Sequence, residues 1–465
     1  MPFLSGLLLL LLLFLSGCSV HPPMAKPPAH LPTAFQTAGA DMVLLPGEQW
    51  WLSFADPHLN AIMADCFAAN LDIAMAFARL EQVAELEKSQ NATLWPEVSA
   101  LASAGRGKAR GLEADTYTLS VGASYELDLW QKLKYRRQAA AFTREAQADE
   151  VQFLFLSLAA QVAESYYQLV ELRQLLRLNE ELINSFQDTV ELVDMRYRLG
   201  VVGLVDLYQA RQNLLAAKAE YPLLQAEERR LINRLALLVG KPAAAVELGE
   251  LALLPDLHHS FATGLPADLL LNRPDVAAAL ARLQGADQEI GAAVASRFPA
   301  LQLTANYGGQ NSEIADILVD PNIFWNLLVN ISQPIIDGGR RKSEVRRRQA
   351  VFNELAAGYQ KSVLTALAEV DDALSLERGV DDSLVILVQR EEVTRATLEL
   401  ALLRYEQGIT DFLPVLTAQT SQASARISLI KGQRQRISSR IQLARALGGS
   451  WMSEELDKGL TRVDN

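Results

Sequence analysis

The sequence predicts a mixed fold, a membrane β-barrel joined to a long α-helical coiled-coil barrel, built as a tandem structural repeat with four β-strands per chain. Three observations predict it: an internal duplication, helical stretches too long for an ordinary globular domain, and short segments of strict apolar and polar alternation. At 465 residues, 50% hydrophobic and 21% charged, the chain is far from the composition of a disordered polymer. Its 43 basic and 55 acidic residues give a net charge of −12, which argues against nucleic acid as a partner, because such binding works by releasing cations from a polyanion. Two cysteines, Cys18 and Cys66, are too few for a disulfide framework or a structural zinc cluster.

The duplication appears as two matched registers. "NLDIAMAFARL" from Asn70 aligns with "RPDVAAALARL" from Arg273, placing Asp72 with Asp275 and Trp95-Pro96 with Phe298-Pro299, each 203 positions apart. "RYRLGVVGLVDLYQA" from Arg196 aligns with "RYEQGITDFLPVLTA" from Arg404, 208 positions apart. Two offsets so nearly equal mark a repeated unit of about 200 residues. The first repeat is expected over 49–240 and the second over 265–450, with a connecting segment 241–264 and a C-terminal tail 451–465.

Strands are read from period-two alternation. Tyr117, Leu119, Val121, Ala123, Tyr125 and Leu127 alternate with polar or small residues and predict a strand over 116–127. Its partner is expected over 98–107, joined through a glycine-rich loop that carries Arg106, Lys108 and Arg110. That basic connection reads as a solvated hairpin loop or as a surface for outer-leaflet phosphates. In the second repeat the strands are expected over 300–308 and 324–333. Segments of this length with one apolar face suit a membrane barrel, and equally a soluble antiparallel sheet.

The helices favour the membrane reading. From Gln131 to Leu199 there is no Gly or Pro in 69 residues, a helix of about 100 Å. Leu169, Leu172, Leu176, Asn179, Ile183, Phe186, Val190, Val193 and Tyr197 step by three and four, as do residues from Leu207 to Leu238. These heptads, separated by a turn at Gly200 to Gly203, predict an antiparallel coiled-coil hairpin over 131–239, with Pro222 kinking the returning helix. The second repeat carries a less regular counterpart over 340–447.

The N-terminus reads as a lipoprotein signal peptide, 1–17: a leucine run of about ten residues, half of a membrane-crossing helix, ending in "LSGC". Cys18 would then be the acylated first residue, followed by a Pro- and Ala-rich tether, 18–48. No later stretch reaches 18 apolar residues, so a membrane-spanning part must use strands. Four strands cannot close a barrel, and open edges in hydrocarbon leave unpaired backbone groups. Two chains would give eight strands and a filled interior, whereas three would give twelve and a lumen.

Several segments resemble one family: "WWLSFADPHLN" from Trp50, "YELDLW" from Tyr125, "LPADLLLNRPDVAAALARL" from Leu265, "QPIIDGGRRK" from Gln333 and "ALGGSW" from Ala446. The chain is similar to the bacterial outer membrane efflux proteins, the TolC-like channels, and within them to the lipoprotein (NodT-type) branch. The resemblance implies a homotrimer with a twelve-stranded barrel, serving as the passive exit duct of a tripartite pump. Its partners would be a periplasmic adaptor protein and an inner-membrane transporter of the proton-driven RND type. A duct for type I protein secretion shares the architecture, and a periplasmic coiled-coil structural lipoprotein is an alternative from another class.

The resemblance also places the periplasmic gate at the two hairpin turns, around Gly200 to Asp206 and Gly408 to Pro414. Asp206 matches an acidic position of the family; in the second repeat the matching positions hold Pro414 and Thr417, and Asp411 stands nearby. Both aspartates also read as residues of a first helical turn, meeting the positive end of the dipole. Tyr197 and Tyr405 read either as hydrogen-bonding members of a closed tip or as packed heptad aromatics. Cys66 reads as a buried thiol. No HExxH or GxSxG motif is present and His258-His259 has no cysteine nearby, so no catalytic residue, metal or cofactor is expected.

Overall fold

The computed structural model describes residues 20–24, 49–109, 111–245, 253–255, 257 and 273–463. Cys18, Arg110 and the His258-His259 pair lie outside the described residues, as does most of the tether and of the connecting segment. The chain forms two compact units. The first holds Ala78–Asp149 and Asp275–Ser362 together with the N-terminal residues, and the second holds the remainder.

The first unit carries the sheet. Its strands are β1 (Glu97–Ala109), β2 (Leu112–Leu127), β3 (Ala300–Asn311) and β4 (Ile323–Ser332), all antiparallel in the order β1-β2-β3-β4. The register sorts side chains by face, because successive residues of a strand point to opposite sides. Ala100, Val121, Tyr307 and Trp325 form one cross-strand row, and Val98, Ala123, Ala305 and Leu327 the next. This apolar face is uncovered, with Trp325 75% and Ile331 73% exposed. The opposite face carries the row Ser99, Gly122, Asn306 and Asn326, followed by Ser124 and Thr304. Asn306 donates to Asn326 at 3.0 Å, and Gly122 leaves room for it, since a Cβ there would stand 2.7 Å from the Asn306 oxygen. Leu101, Phe324 and Leu328 interrupt the polar face. Both β1 and β4 are edges without a partner in the sheet.

The hairpin between β1 and β2 is tighter than the sequence suggests. β1 extends to Ala109, and Gly111 turns the chain at φ 84°. Arg106 and Lys108 therefore belong to a strand rather than to a loop. Arg106 reaches Glu113 at 3.4 Å and Asp115 at 3.7 Å, and Lys108 reaches Glu113 at 3.6 Å. Arg106 stands opposite Asp115 and Lys108 opposite Glu113, so opposite charges face each other across the two strands.

Aromatic residues stand where the strands end. Trp130 follows β2, stacks on Phe298 at 4.8 Å and donates to the Pro299 carbonyl at 2.9 Å just before β3. Asp128 accepts from the amides of Leu133 and Lys134 at 3.0 and 2.9 Å, opening the long helix that follows.

The helices, in chain order, are α1 (Pro57–Ala69), α2 (Leu71–Ala92), α3 (Lys132–Arg198), α4 (Leu204–Val239), α5 (Pro274–Ala295), α6 (Arg340–Glu406), α7 (Phe412–Leu447) and α8 (Trp451–Val463). In the second unit α3 and α4 pack antiparallel. Arg173 pairs with Glu228 at 2.8 Å, the Tyr221 hydroxyl donates to Glu180 at 2.8 Å, and Phe186 packs with Leu214 and Ala217. Leu169, Phe186, Val193, Leu207, Ala210, Leu214, Leu231 and Leu235 are all buried along the heptad seam. α4 runs without interruption through Pro222. α6 and α7 form the second hairpin, in which the buried Arg440 donates to Glu377 at 2.5 Å. α7 also lies along α3, where Gln419 donates to Thr189 at 2.6 Å and Arg434 bridges Glu164 and Glu171, each at 2.9 Å.

Two stretches, one near each end of the chain, bear on the sequence expectations. By composition Pro57–Ala92 contains a window apolar enough to cross a membrane. Asn70 divides it, at ψ 130°, into α1 and α2, its carboxamide oxygen accepting from Ile73 N at 3.0 Å. α1 buries Leu59, Ile62, Met63 and Cys66, and burial pushes the Cys66 thiol up to about 12. The stretch expected as a tail is helical to Val463, with Trp451 3% exposed and 4.9 Å from Trp51.

Gly240 ends α4 at φ 73°, and a Cβ there would stand 2.2 Å from the Ala69 carbonyl oxygen. Gly240→Ala is expected to cost about 1–3 kcal/mol and to lower the thermal midpoint. Gly358→Ala, at a helical site with nothing within 4 Å, is expected to raise it; differential scanning fluorimetry of both variants checks the contrast.

Candidate functional site

Both hairpins turn through the same backbone pattern. In the first, Gly200 N donates to the Tyr197 carbonyl and Val201 N to the Arg196 carbonyl, each at 2.9 Å. In the second, Gly408 N donates to Tyr405 and Ile409 N to Arg404, again at 2.9 Å. Gly200 and Gly408 both sit at φ 72° with nothing near enough to clash with a Cβ. Their glycine is required by the left-handed conformation of this helix ending, not by space.

The tips are drawn together by one apolar cluster of Val193, Leu207, Ala210, Tyr405, Phe412 and Val415. Tyr405 is 1% exposed, its ring 5.7 Å from Phe412. The Arg196 guanidinium lies 4.3 Å from the Tyr405 ring centroid and donates to the Glu406 carbonyl at 2.9 Å. A cation over a desolvated aromatic face is worth up to about 2 kcal/mol. Burial raises the Tyr405 phenol above its usual range, Arg196 opposes the shift, and the charge on Asp206 adds to it. Arg196 thus meets Tyr405 both over its ring and beside its hydroxyl. Beside it, Asp194 pairs with Arg198 at 2.7 Å and with Arg211 at 3.4 Å.

Of the residues singled out in the sequence, Tyr405 is buried in the cluster and close enough to Asp206 to feel its charge, and Gly200 and Gly408 form the two turns. Tyr197 is 39% exposed. It lies in the last turn of α3, beyond Val193, the last buried rung, and so is not a packed heptad aromatic. Asp206 is in the first turn of α4, which starts from Gly203. Asp411 stands one position before α7 at ψ 174°, and its side chain makes no capping hydrogen bond. Arg196 and Phe412 were not anticipated. A signal for Arg196 was available: Arg-Tyr recurs as Arg196-Tyr197 and Arg404-Tyr405. Among the described residues no group of three or more His, Cys, Asp or Glu is placed to hold a metal ion.

A sheet uncovered on its apolar face, largely polar on the other and open at both edges, followed in the chain by long helical hairpins, is the arrangement of an outer-membrane channel subunit. A family model described as "Outer membrane efflux protein" matches residues 65–241 and 265–449, and the chain belongs to that family. It is 30% identical to the pyoverdine export outer membrane protein OpmQ of Pseudomonas putida, over 96% of this chain and 97% of that one. It is 28% identical to the toluene efflux pump outer membrane protein TtgF, also of Pseudomonas putida, over 94% and 95% of the two chains. The solved outer-membrane channel OprN matches the fold with a TM-score of 0.89 at 28% identity, covering 94% of this chain and all of that one. The protein is an efflux channel of the outer membrane.

Arg196→Ala removes both the ring contact and the bond to the Glu406 carbonyl, and is expected to raise the open probability several-fold in planar-bilayer recordings. Tyr405→Phe, which keeps the ring under Arg196 and removes only the hydroxyl, is expected to change the open probability much less than Arg196→Ala.

Proposed function

We propose that three copies of this chain join edge to edge, β4 of one to β1 of the next, into a twelve-stranded barrel that serves as the passive exit duct of a tripartite efflux pump. The observation that carries this reading is the four-stranded sheet with two open edges and one continuous polar row. Unpaired edges in hydrocarbon cost several kcal/mol for each backbone group, and twelve strands leave room for a water-filled lumen. The apolar face meets lipid, and the row Ser99, Gly122, Asn306 and Asn326 faces the lumen. Uncovered apolar residues on α4 and α6 support assembly in the helical part too, among them Val205, Tyr208 and Leu215 on the first and Val385, Ile386 and Val393 on the second.

A periplasmic adaptor protein and an inner-membrane transporter of the proton-driven RND type are the partners, and contact with them opens the tips against the Arg196 and Tyr405 packing. The names of two relatives specify export of pyoverdine and of toluene. Ligands so named support a duct that carries small molecules chosen upstream and releases them chemically unchanged. Cys18 is acylated and gives the barrel an auxiliary lipid anchor.

If the strands insert, the anchor is dispensable for membrane retention. The Cys18→Ala variant is expected to stay in the outer-membrane fraction after a detergent-free high-salt wash, and cells lacking the protein to accumulate more of a fluorescent dye. Quantitative release of Cys18→Ala into the wash would favour a periplasmic structural lipoprotein.

A further inference from the structure

In the first unit, Val20 and His21 contact α3 and α5, the helices next to β2 and β3 in the chain. Val20 packs against a cluster of Tyr135, Ala292 and Ala295, with Trp130 beside it. His21 Nε2 lies 2.8 Å from Asp287 Oδ1, across 266 positions of chain. Because a carboxylate only accepts, the imidazole supplies the hydrogen. Asp287 is 5% exposed, and a carboxylate so buried is costly without partners; its other oxygen accepts from Gln288 at 3.3 Å. The Tyr135 hydroxyl donates to the His21 carbonyl at 3.5 Å, and the two rings meet edge to face at 6.3 Å.

The seat is shaped from below by a glycine. A Cβ at Gly291 would stand 2.8 Å from the Tyr135 ring, so only glycine lets that ring lie against α5. Trp130, Phe298 and Pro299 put the same seat beside the ends of β2 and β3. From Val20 back to Cys18 the chain can span at most about 7 Å.

We propose that Val20 and His21 form a latch that seats the N-terminal segment on Tyr135 and Asp287, beside the ends of β2 and β3. Acyl chains on Cys18, two positions before Val20, would then start beside the strand ends. The lipid half of this rests on the acylation reading above; the latch does not. His21 and Asp287 act as positioning residues for the anchor. The latch also accounts for a buried carboxylate on α5 that neither the sheet nor the tips use.

Diethylpyrocarbonate footprinting of the full-length protein in mild detergent, read by mass spectrometry, tests it, with the exposed His58 as internal reference. His21 is expected to react roughly ten- to hundredfold more slowly than His58. Asp287→Ala should bring His21 to the His58 rate, and Asp287→Asn, which keeps an acceptor, should restore part of the protection. An unchanged thermal midpoint in Asp287→Asn would separate the latch from general stability. The mass of the Cys18 peptide is measured in the same digest. His21 protected on a chain whose Cys18 carries no acyl mass would leave the latch standing and remove the lipid anchor. His21 reacting like His58 in the wild type would overturn the latch whatever Cys18 carries.

Discussion

The unsatisfied backbone along β1 and β4 is the constraint from which the rest of the molecule follows. Water can satisfy such groups and hydrocarbon cannot. A sheet with Trp325, Leu327 and Ile331 uncovered on one face is suited to hydrocarbon, so its edges have to be closed by more sheet. One chain has no more to offer, and closure falls to further copies. In the trimer proposed above, oligomerisation is thus a condition of the barrel and not an addition to it.

The same economy governs the helical part. A heptad seam buries Phe186 and Val193 against Leu207, Ala210, Leu214 and Ala217 of α4 and holds the two long helices together. What the seam does not decide is how the ends meet. That depends on the Tyr405 and Phe412 cluster and on Arg196 laid over it. A contact worth up to about 2 kcal/mol biases the tip without locking it, which fits the gate proposed above.

Much of this was legible in the residues themselves, since period-two and period-seven patterns report the faces that burial later occupies. The β3 and β4 strands and the α3 and α4 seam are of this kind. What was illegible depended on partners distant in sequence. Arg106 and Lys108 look like loop residues until Glu113 and Asp115 are placed across from them. Tyr197 and Tyr405 hold equivalent positions in the two repeats, yet one is exposed and the other buried, because only the second meets Phe412 and Val415. Trp451 reads as the start of a tail until Trp51, 400 positions earlier, is seen beside it. Asp287 gives no sign in sequence that a histidine near the N-terminus answers it.

Native mass spectrometry of the purified protein, released from mild detergent micelles, bears most directly on the closure of the sheet by copies of itself. A single species of three chains is the expected result. A stable monomer or dimer that remains folded, with β1 and β4 protected from hydrogen exchange, would mean that the edges are satisfied without a third copy and would contradict the account.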